Sequence, residues 1–171
     1  KRNFNWLQET QVENPTYIPW GVILDHFPFQ QRTITNNVRF YINLGRGSDR
    51  KGYECLPTTI SKLEGGWLKQ KFAPKKLPYQ FIATSIAGSE AKVKRSFKRY
   101  FAKHPRCQLS FNTADNCNGG LFSLGDVYVY PTIKEGVGLT ITEAMCSGMP
   151  VITTNYTTMN EWFADNEAGR L

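Results

Sequence analysis

Short apolar runs alternate with amphipathic stretches along most of the chain. The runs that read as strands, rich in β-branched and aromatic residues, are 38–44, 79–87, 106–111, 127–131 and 151–154. Stretches with helical spacing fall between them, at 53–63, 90–103, 139–147 and 159–165, with a short helical turn at 121–126. This order predicts an α/β domain with a parallel sheet and right-handed crossover connections.

The remaining segments divide the chain into two parts. Residues 1–36 lack a sustained period and are read as a lead-in or interdomain linker, with one strand-like piece at 17–22. Residues 37–171 form the α/β unit, in which 67–72 is read as a further helix after a double-glycine break. The chain ends in AGRL, where the alternation requires another strand, so we expect this sequence to be part of a larger protein.

The chain is basic, with a formal net charge of +7. Such a surface is either merely solvated or attracts anions such as nucleotide phosphates, anionic lipid headgroups or nucleic acid. Many of the cations lie at 92–106, where the apolar residues share one helix face and the lysines and arginines form the opposite face. No aromatic and basic RNA-binding signature accompanies them, which argues against nucleic acid as the partner.

Neither a membrane span nor a metal site is predicted. No run of about 18 apolar residues occurs, and the first residues lack the apolar centre of a signal peptide. The four cysteines form no Cys-x-x-Cys pair, and His104 with Cys107 is isolated, which argues against zinc. Free thiols in a reducing compartment, and so a cytoplasmic protein, are the default expectation; a Cys107–Cys117 disulfide is the alternative.

The loop GRGSDRKG (45–52) follows a strand and precedes a helix, the position at which a doubly wound fold binds phosphate. Its sixth residue is Arg50, so it lacks the Gly-x-Gly-x-x-Gly fingerprint of dinucleotide sites, and it contains no Gly-Lys-Ser or Gly-Lys-Thr. What remains is a pair of cations, Arg46 and Lys51, that could clamp a diphosphate. Taken alone, such a basic turn is more often only solvated.

The segment EGVGLTITE (135–143) joins a glycine-bearing loop to the start of a helix. Gly136 and Gly138 allow the backbone to approach a ligand closely. A helix N-terminus offers unpaired amides and a favourable dipole to an anion. The amides in question belong to Gly138, Leu139 and Thr140.

Two glutamates, Glu135 and Glu143, flank this loop and first helical turn. Glu143 lies in an otherwise apolar helix, where a buried carboxylate needs a partner. The alternative is that both glutamates are surface acids that only stabilise the helix. The segment therefore indicates a site for a phosphorylated, hydroxyl-bearing ligand without excluding a purely structural role.

These residues resemble the C-terminal, nucleotide-sugar-binding domain of GT-B glycosyltransferases, specifically glycosyltransferase family 4. The resemblance rests on four stretches in order: IPWGVILDHF (18–27), LGRGSDRKG (44–52), GDVYVYPTIKEGVGLTITEAMCSGMPVIT (125–153) and MNEWFADNEAGRL (159–171). It implies a Rossmann-like, doubly wound parallel sheet that forms the C-terminal half of the GT-B fold. Trp20, where the family usually has Asn, and SIAGSE (85–90), where it has a GDGP-like turn, depart from the family pattern.

The resemblance also implies a role for each candidate residue. Arg46 and Lys51 would bind the donor diphosphate and stabilise the leaving nucleoside diphosphate. Glu143 would hydrogen-bond the ribose, and Glu135 would face the transferred sugar, so Arg46, Lys51 and Glu135 form the implied catalytic set. The amides completing the donor site would be those of Gly136, Gly138, Leu139 and Thr140. Transfer would retain anomeric configuration without a metal ion or other cofactor.

The acceptor, a glycan, lipid or protein, would bind an N-terminal domain that we expect to lie outside this chain. The chain alone is then expected to bind a UDP, GDP or other nucleotide sugar without transferring it. The candidate stretch for contacts to the base is 110–113. Two alternatives remain: a GT-B nucleotide-sugar epimerase, for which only Glu135 is at hand, and a non-catalytic module whose basic face binds nucleic acid or anionic membrane. Peripheral contact with an anionic membrane could also serve the enzyme.

Overall fold

In the computed structural model, the described residues are 9, 16, 20–33, 37–64, 79–112, 120–162 and 169–170. The helix expected at 67–72 lies outside this set, as does Cys117. Cys107 is buried in the core around Ile42, and the Cys107–Cys117 disulfide stays a prediction. No helix in these ranges has the length and apolar character needed to cross a membrane.

The chain forms a six-stranded parallel sheet with the strand order β3-β2-β1-β4-β5-β6. The strands are β1 (Val38–Asn43), β2 (Tyr79–Ile86), β3 (Cys107–Asn112), β4 (Val127–Tyr130), β5 (Val151–Thr153) and β6 (Gly169–Arg170). The helices of the described residues are α1 (Leu56–Glu64), α2 (Arg95–Lys103) and α3 (Leu139–Cys146). This is the doubly wound order, in which the chain builds outward from β1 and then crosses to β4. The predicted α/β fold class is confirmed.

Two hydrophobic cores arise from the pleat of the sheet. Successive side chains of a strand point to opposite faces, and Tyr41 and Ile42 of β1 accordingly belong to different cores. The core around Tyr41 includes Ile141 of α3, whereas the core around Ile42 includes Ile60 of α1 and Phe97 of α2. Because both faces are covered, the strands are apolar along most of their length, as expected for a parallel sheet.

Helix α2 begins at Arg95, which corrects the expected helix over 90–103. Lys94 has an extended backbone, and the residues before it fold into turns, with the Lys92 amide donating to the Ser89 carbonyl at 2.9 Å. Val93 is buried in the core around Ile42, but it reaches that core from the turn. A buried valine at helical spacing from Phe97 therefore reflected a shared core and not a shared helix.

Three shorter expectations also differ in detail. Residues 20–22 form no strand, and 121–126 contain turns without a helix. The last expected helix appears as a 3-10 helix at Met159–Trp162, and the rest of it lies outside the described residues. Short segments of this kind carry too few periodic positions for a sequence pattern to assign them.

Phe27 and Arg32, which precede β1, pack against the rest of the structure. Phe27 is buried in the core around Tyr41. The Arg32 guanidinium donates hydrogen bonds to four backbone carbonyls, those of Phe122, Gly125, Ser147 and Gly148. Two of these carbonyls close the C-terminal end of α3, where a cation also complements the helix dipole.

Candidate functional site

The candidate site lies where two loops leave the carboxyl ends of the neighbouring strands β1 and β4. The chain continues from β1 toward β2 on one side and from β4 toward β5 on the other. Such a reversal of strand order opens a crevice outside the sheet, and ligands of open α/β sheets bind there. The two loops are residues 44–52 after β1 and 131–138 after β4, and both carry predicted site residues.

The two loops are held against each other by their backbones. The Arg50 carbonyl accepts hydrogen bonds from the Ile133 amide at 2.8 Å and from the Thr132 hydroxyl at 3.0 Å. Gly52 has a φ of 63°, and a Cβ built on it would lie 1.9 Å from the Pro131 carbonyl oxygen. Only glycine fits this close approach in the left-handed conformation, which fixes the spacing of the loops.

Lys51 and Glu135 meet at the centre of this junction. The Lys51 Nζ lies 2.6 Å from Glu135 Oε1 and donates a second hydrogen bond to the Tyr130 hydroxyl at 2.7 Å. The Tyr130 hydroxyl in turn donates to the same Glu135 oxygen. Tyr130 is the last residue of β4, and its ring stacks on that of Tyr128 below it in the core. The stacked rings of Tyr128 and Tyr130 therefore place the Tyr130 hydroxyl group at the site.

Arg50 holds the other oxygen of the same carboxylate. Its Nη1 lies 2.7 Å from Glu135 Oε2, and it also donates to the Lys134 carbonyl at 3.2 Å. The Arg50 side chain is half exposed, whereas those of Lys51 and Glu135 are largely covered. Arg50 therefore forms the solvent-facing side of the cluster, and the Lys51–Glu135 ion pair forms its covered side.

The electrostatics of this cluster keep Glu135 ionised. Burial would raise the pKa of Glu135, but hydrogen bonds from Lys51, Tyr130 and Arg50 outweigh it and lower the pKa from 4.5 to about 2. Burial lowers the pKa of Lys51, and the hydrogen bond to Glu135 opposes that shift. The pKa of Tyr130 is raised, first by burial and then by the Glu135 hydrogen bond, so it remains a neutral donor. The site therefore presents a carboxylate, a neutral phenol and a partly desolvated ammonium group.

The start of α3 provides backbone amides beside this loop. Gly138 has a φ of 77° and precedes the first helical residue, Leu139. No described residue accepts a hydrogen bond from the amides of Gly138, Leu139 or Thr140. Amides left open at a helix N-terminus bind anions and oxygen-rich ligands. Gly136 lies in open space, since a Cβ built on it would meet nothing within 4 Å.

Glu143 lies one turn into α3 and is half buried. Burial raises its pKa, and no cation of the described residues contributes to that shift. A carboxylate kept in such a place without a positive partner costs stability. This cost makes a structural explanation of Glu143 weaker than a functional one.

The structure brings some of the predicted residues together and leaves others apart. Lys51 and Glu135 are in direct contact, and Gly136, Gly138, Leu139 and Thr140 continue the same loop into α3. Arg46 is exposed on the β1 loop and forms no ion pair with any described residue. Sequence reasoning missed the contributions of Arg50 and Tyr130. The only available signal for them was position: Arg50 precedes Lys51, and Tyr130 ends the strand that leads to Glu135.

The sequence pattern of the family described as Glycosyl transferases group 1 matches residues 27–171. The chain belongs to this family. The match covers the whole sheet, both loops and the ion-pair cluster. No curated protein matches the chain.

Solved structures show the same fold at low sequence identity. The pneumococcal O-GlcNAc transferase GtfA, in complex with UDP and GlcNAc, is 19% identical over 96% of this chain and 31% of its own, with a TM-score of 0.64. The sucrose-phosphate synthase of Thermosynechococcus elongatus is 21% identical over 80% of this chain and 32% of its own, with a TM-score of 0.59. The catalytic domain of starch synthase IV from Arabidopsis thaliana, bound to ADP and acarbose, is 19% identical over 80% of this chain and 26% of its own, with a TM-score of 0.55.

The chain corresponds to only part of each of these proteins. It spans no more than about a third of the length of each of the three proteins. The similarity establishes the fold, a Rossmann-like parallel sheet as found in GT-B glycosyltransferases. The nucleotides bound to two of the proteins, UDP and ADP, differ in their base.

Proposed function

We propose that this chain is the donor-binding domain of a retaining glycosyltransferase and holds a nucleoside-diphosphate sugar in the crevice between the β1 and β4 loops. The observation that carries the proposal is the ion-pair cluster of Lys51, Arg50 and Glu135 at the point where the strand order reverses. Cations, a carboxylate and open amides meet there. A nucleotide sugar offers the complementary groups, a diphosphate and rows of hydroxyls.

The cations of the β1 loop bind the diphosphate in this proposal. When the bond between the sugar and the β-phosphate breaks, negative charge develops on the departing phosphate. Preorganised cations and helix-terminal amides stabilise that charge and lower the barrier. Lys51 is held in place by its hydrogen bond to the Tyr130 hydroxyl. Arg46 is exposed on the same loop, where its side chain can contact the phosphates. These groups supply the neutralisation for which other transferases use a divalent metal ion.

The two glutamates recognise hydroxyl groups. Glu135 is ionised at neutral pH, and a carboxylate accepts hydrogen bonds from sugar hydroxyls. Glu143 lacks a described cationic partner, and the vicinal hydroxyls of a ribose would satisfy it. The acceptor in this proposal is a glycan, lipid or protein that is bound by the rest of the enzyme.

An epimerase of the same architecture is the nearest competing function. Such an enzyme needs groups that both remove and return protons around the sugar. The cluster offers one carboxylate whose pKa of about 2 makes it a poor base at neutral pH. The site therefore favours leaving-group stabilisation over proton shuttling.

The polar face of α2 supports a secondary role in contact with an anionic membrane surface. Its aromatic residues Phe97 and Phe101 are buried in the core, and exposed cations remain outside, among them Arg95, Arg99 and Lys103. Binding would then be electrostatic and would decline with added salt. Co-sedimentation with phosphatidylserine vesicles and with neutral vesicles tests this role: equal binding to both contradicts it.

Calorimetric titration of the chain with UDP, GDP and ADP tests the main proposal. We expect one nucleotide to bind in the micromolar to millimolar range and the Arg46→Ala, Lys51→Ala double variant to lose that binding. An Arg99→Ala, Lys103→Ala variant removes the same charge from the exposed face of α2 and should bind as the wild type does. If the folded wild type binds none of the three nucleotides, the proposal fails for this chain.

A further inference from the structure

Three side chains that follow β5 donate hydrogen bonds to the carbonyls of the loop carrying Glu135. The Thr154 hydroxyl donates to the Thr132 carbonyl. Four residues further on, the Thr158 hydroxyl donates to the Glu135 carbonyl at 3.1 Å. Four residues beyond that, the Trp162 indole donates to the Val137 carbonyl at 2.8 Å. We call Thr154, Thr158 and Trp162 the carbonyl brace.

The brace is itself anchored to the domain. Met159 is fully buried in the core around Tyr41, and the Trp162 ring packs against the same core. Backbone hydrogen bonds from Tyr156 to Thr154 at 2.8 Å and from Asn160 to Tyr156 at 3.1 Å tie the segment together. The three donors are therefore presented by a packed segment and not by a free loop.

Binding a carbonyl also sets the direction of the next amide. In a trans peptide, the C=O of one residue and the N–H of the next point to opposite sides of the peptide plane. The first bond of the brace illustrates this, because the amide that follows the Thr132 carbonyl belongs to Ile133 and points away from the brace, to the Arg50 carbonyl at 2.8 Å. The same geometry directs the amide of Gly136 away from Thr158 and that of Gly138 away from Trp162.

These two glycine amides have no acceptor among the described residues. They flank Val137 on the loop between the ion-pair cluster and the start of α3. A Cβ built on Gly136 would meet nothing within 4 Å, so no neighbouring atom crowds the loop in that direction. The two unpaired donors therefore lie on the side of the loop opposite to the brace.

We propose that Thr158 and Trp162 are positioning residues for the donor: by binding the carbonyls of Glu135 and Val137, they aim the amides of Gly136 and Gly138 at the bound nucleotide sugar. This inference rests on the proposed function. It assigns a role in binding to side chains that do not touch the ligand. It also explains why a tryptophan with a single ring donor stands at the end of this segment.

Two substitutions remove the donors while keeping the shape of the side chains. Trp162→Phe keeps an aromatic ring in the core, and Thr158→Val keeps the branched volume. Each loses one hydrogen bond to the loop, so we expect nucleotide affinity in calorimetric titration with UDP, GDP and ADP to fall by about 5- to 10-fold. Thr158→Ser restores the hydroxyl and should recover wild-type affinity. Thr59→Val, which removes a hydroxyl of α1 that donates to the Cys55 carbonyl just before that helix, is the matched control and should have no effect.

A second measurement separates positioning from general stability. In chain labelled with ¹⁵N-glycine, the wild-type amide signals of Gly136 and Gly138 should shift when nucleotide binds, and these shifts should shrink in Thr158→Val and Trp162→Phe. A variant that is merely destabilised but folded would keep them. If the wild type binds nucleotide and both variants bind equally well with unchanged glycine shifts, the brace has no role in positioning. If the wild type binds no nucleotide, the proposed function itself fails and this inference falls with it.

Discussion

The Lys51 ammonium group lies 2.6 Å from the Glu135 carboxylate, although 84 positions separate the two residues in sequence. The pair joins the loop after β1 to the loop after β4, and Tyr130 and Arg50 complete its hydrogen bonding. In this arrangement the Lys51 ammonium group is already paired with the Glu135 carboxylate. A diphosphate bound at the proposed site would therefore compete with Glu135 for this cation.

The depressed pKa of Glu135 predicts an acid-sensitive contribution to stability. A carboxyl group whose folded pKa is below its unfolded value stabilises the fold above the unfolded pKa and loses that contribution as the pH falls. For Glu135 the loss should occur between about 4.5 and about 2. The site is partly open to solvent, which screens the interaction, so we expect the contribution to be roughly 1–2 kcal/mol.

Urea unfolding of the wild type and of Glu135→Gln across this range is the measurement. Glu135→Gln should be less stable than the wild type at pH 7, and the difference should shrink toward pH 2. A constant difference at every pH would show that Glu135 contributes through shape or neutral hydrogen bonds and not through its charge.

The two predicted diphosphate ligands should differ in their effect on stability. Lys51→Ala leaves the Glu135 carboxylate short of a partner in a largely covered site, so the free energy of unfolding should fall by about 1–2 kcal/mol. Arg46 is exposed and forms no described ion pair, so Arg46→Ala should remain within about 0.5 kcal/mol of the wild type. Chemical denaturation of both variants checks this, and an equally destabilised Arg46→Ala would mean that Arg46 has a structural partner.

Replacing the Glu143 carboxylate should raise the free energy of unfolding and weaken nucleotide binding. Its pKa is raised by burial, so its ionised form destabilises the fold increasingly as the pH rises through and above 4.5. Glu143→Gln removes that charge, and because the group is only partly buried we expect a gain of a few tenths to about 1 kcal/mol at pH 7. If Glu143 binds the ribose as proposed, nucleotide affinity should fall about 10-fold, because the hydroxyls would then donate to a neutral amide oxygen in place of a charged carboxylate.

The Glu143→Gln variant therefore needs two measurements, denaturation and calorimetric titration. A variant that is more stable and binds less tightly fits a ligand-binding carboxylate. Lower stability with unchanged binding would instead assign Glu143 a structural role in α3.

Gly52 should be one of the least tolerant positions of the chain. An alanine there would be strained at a φ of 63° and would place its Cβ 1.9 Å from the Pro131 carbonyl oxygen, so the two loops would have to separate. We expect Gly52→Ala to cost about 3 kcal/mol or more, from backbone strain together with the displaced contact. Gly21→Ala is the control, since a Cβ there meets nothing within 4 Å. Thermal unfolding of both variants tests the prediction, and equal melting temperatures would contradict it.

Arg32 should stabilise the packing of the segment before β1 against the rest of the structure. Its guanidinium satisfies four carbonyls, and removing it leaves partly buried acceptors without a donor. We expect Arg32→Ala to lower the free energy of unfolding by about 2–3 kcal/mol. Arg95→Ala, which removes an exposed arginine at the start of α2, should change it by less than about 0.5 kcal/mol. If both variants unfold at the same urea concentration, the Arg32 hydrogen bonds contribute nothing net.

Much of the fold could be predicted because it is encoded locally. The apolar run at 38–44 contains Tyr41 and Ile42 side by side, and a strand buried on both faces needs two such neighbours. The prediction of helix bounds failed where a buried residue outside a helix happens to lie at helical spacing from a residue inside it. Val93 lies at helical spacing from Phe97, but it is buried from a turn before the helix.

The sequence indicated some residues of the candidate site but not the cluster that they form. Lys51 and Glu135 stood out because each follows a strand in a glycine-bearing loop. Arg50 and Tyr130 did not, since an arginine in a basic turn and a tyrosine at the end of a strand are unremarkable by themselves. Their roles depend on hydrogen bonds that cross between loops far apart in sequence.

The sequence by itself determined the succession of strands and helices, the family and the two loops that could carry chemistry, because periodicity, glycine position and charge act over a few neighbouring residues. Only the tertiary structure decided which charges meet, which carboxyl pKa is lowered and which is raised, and which amides have no acceptor among the described residues. Those properties arise from burial and from contacts between distant segments: Glu135 has a pKa of about 2 because Lys51, Arg50 and Tyr130 surround it, and the Val137 carbonyl is bound because Trp162 packs beside it. No local pattern contains that information, since it exists only once the sheet has brought the loops together.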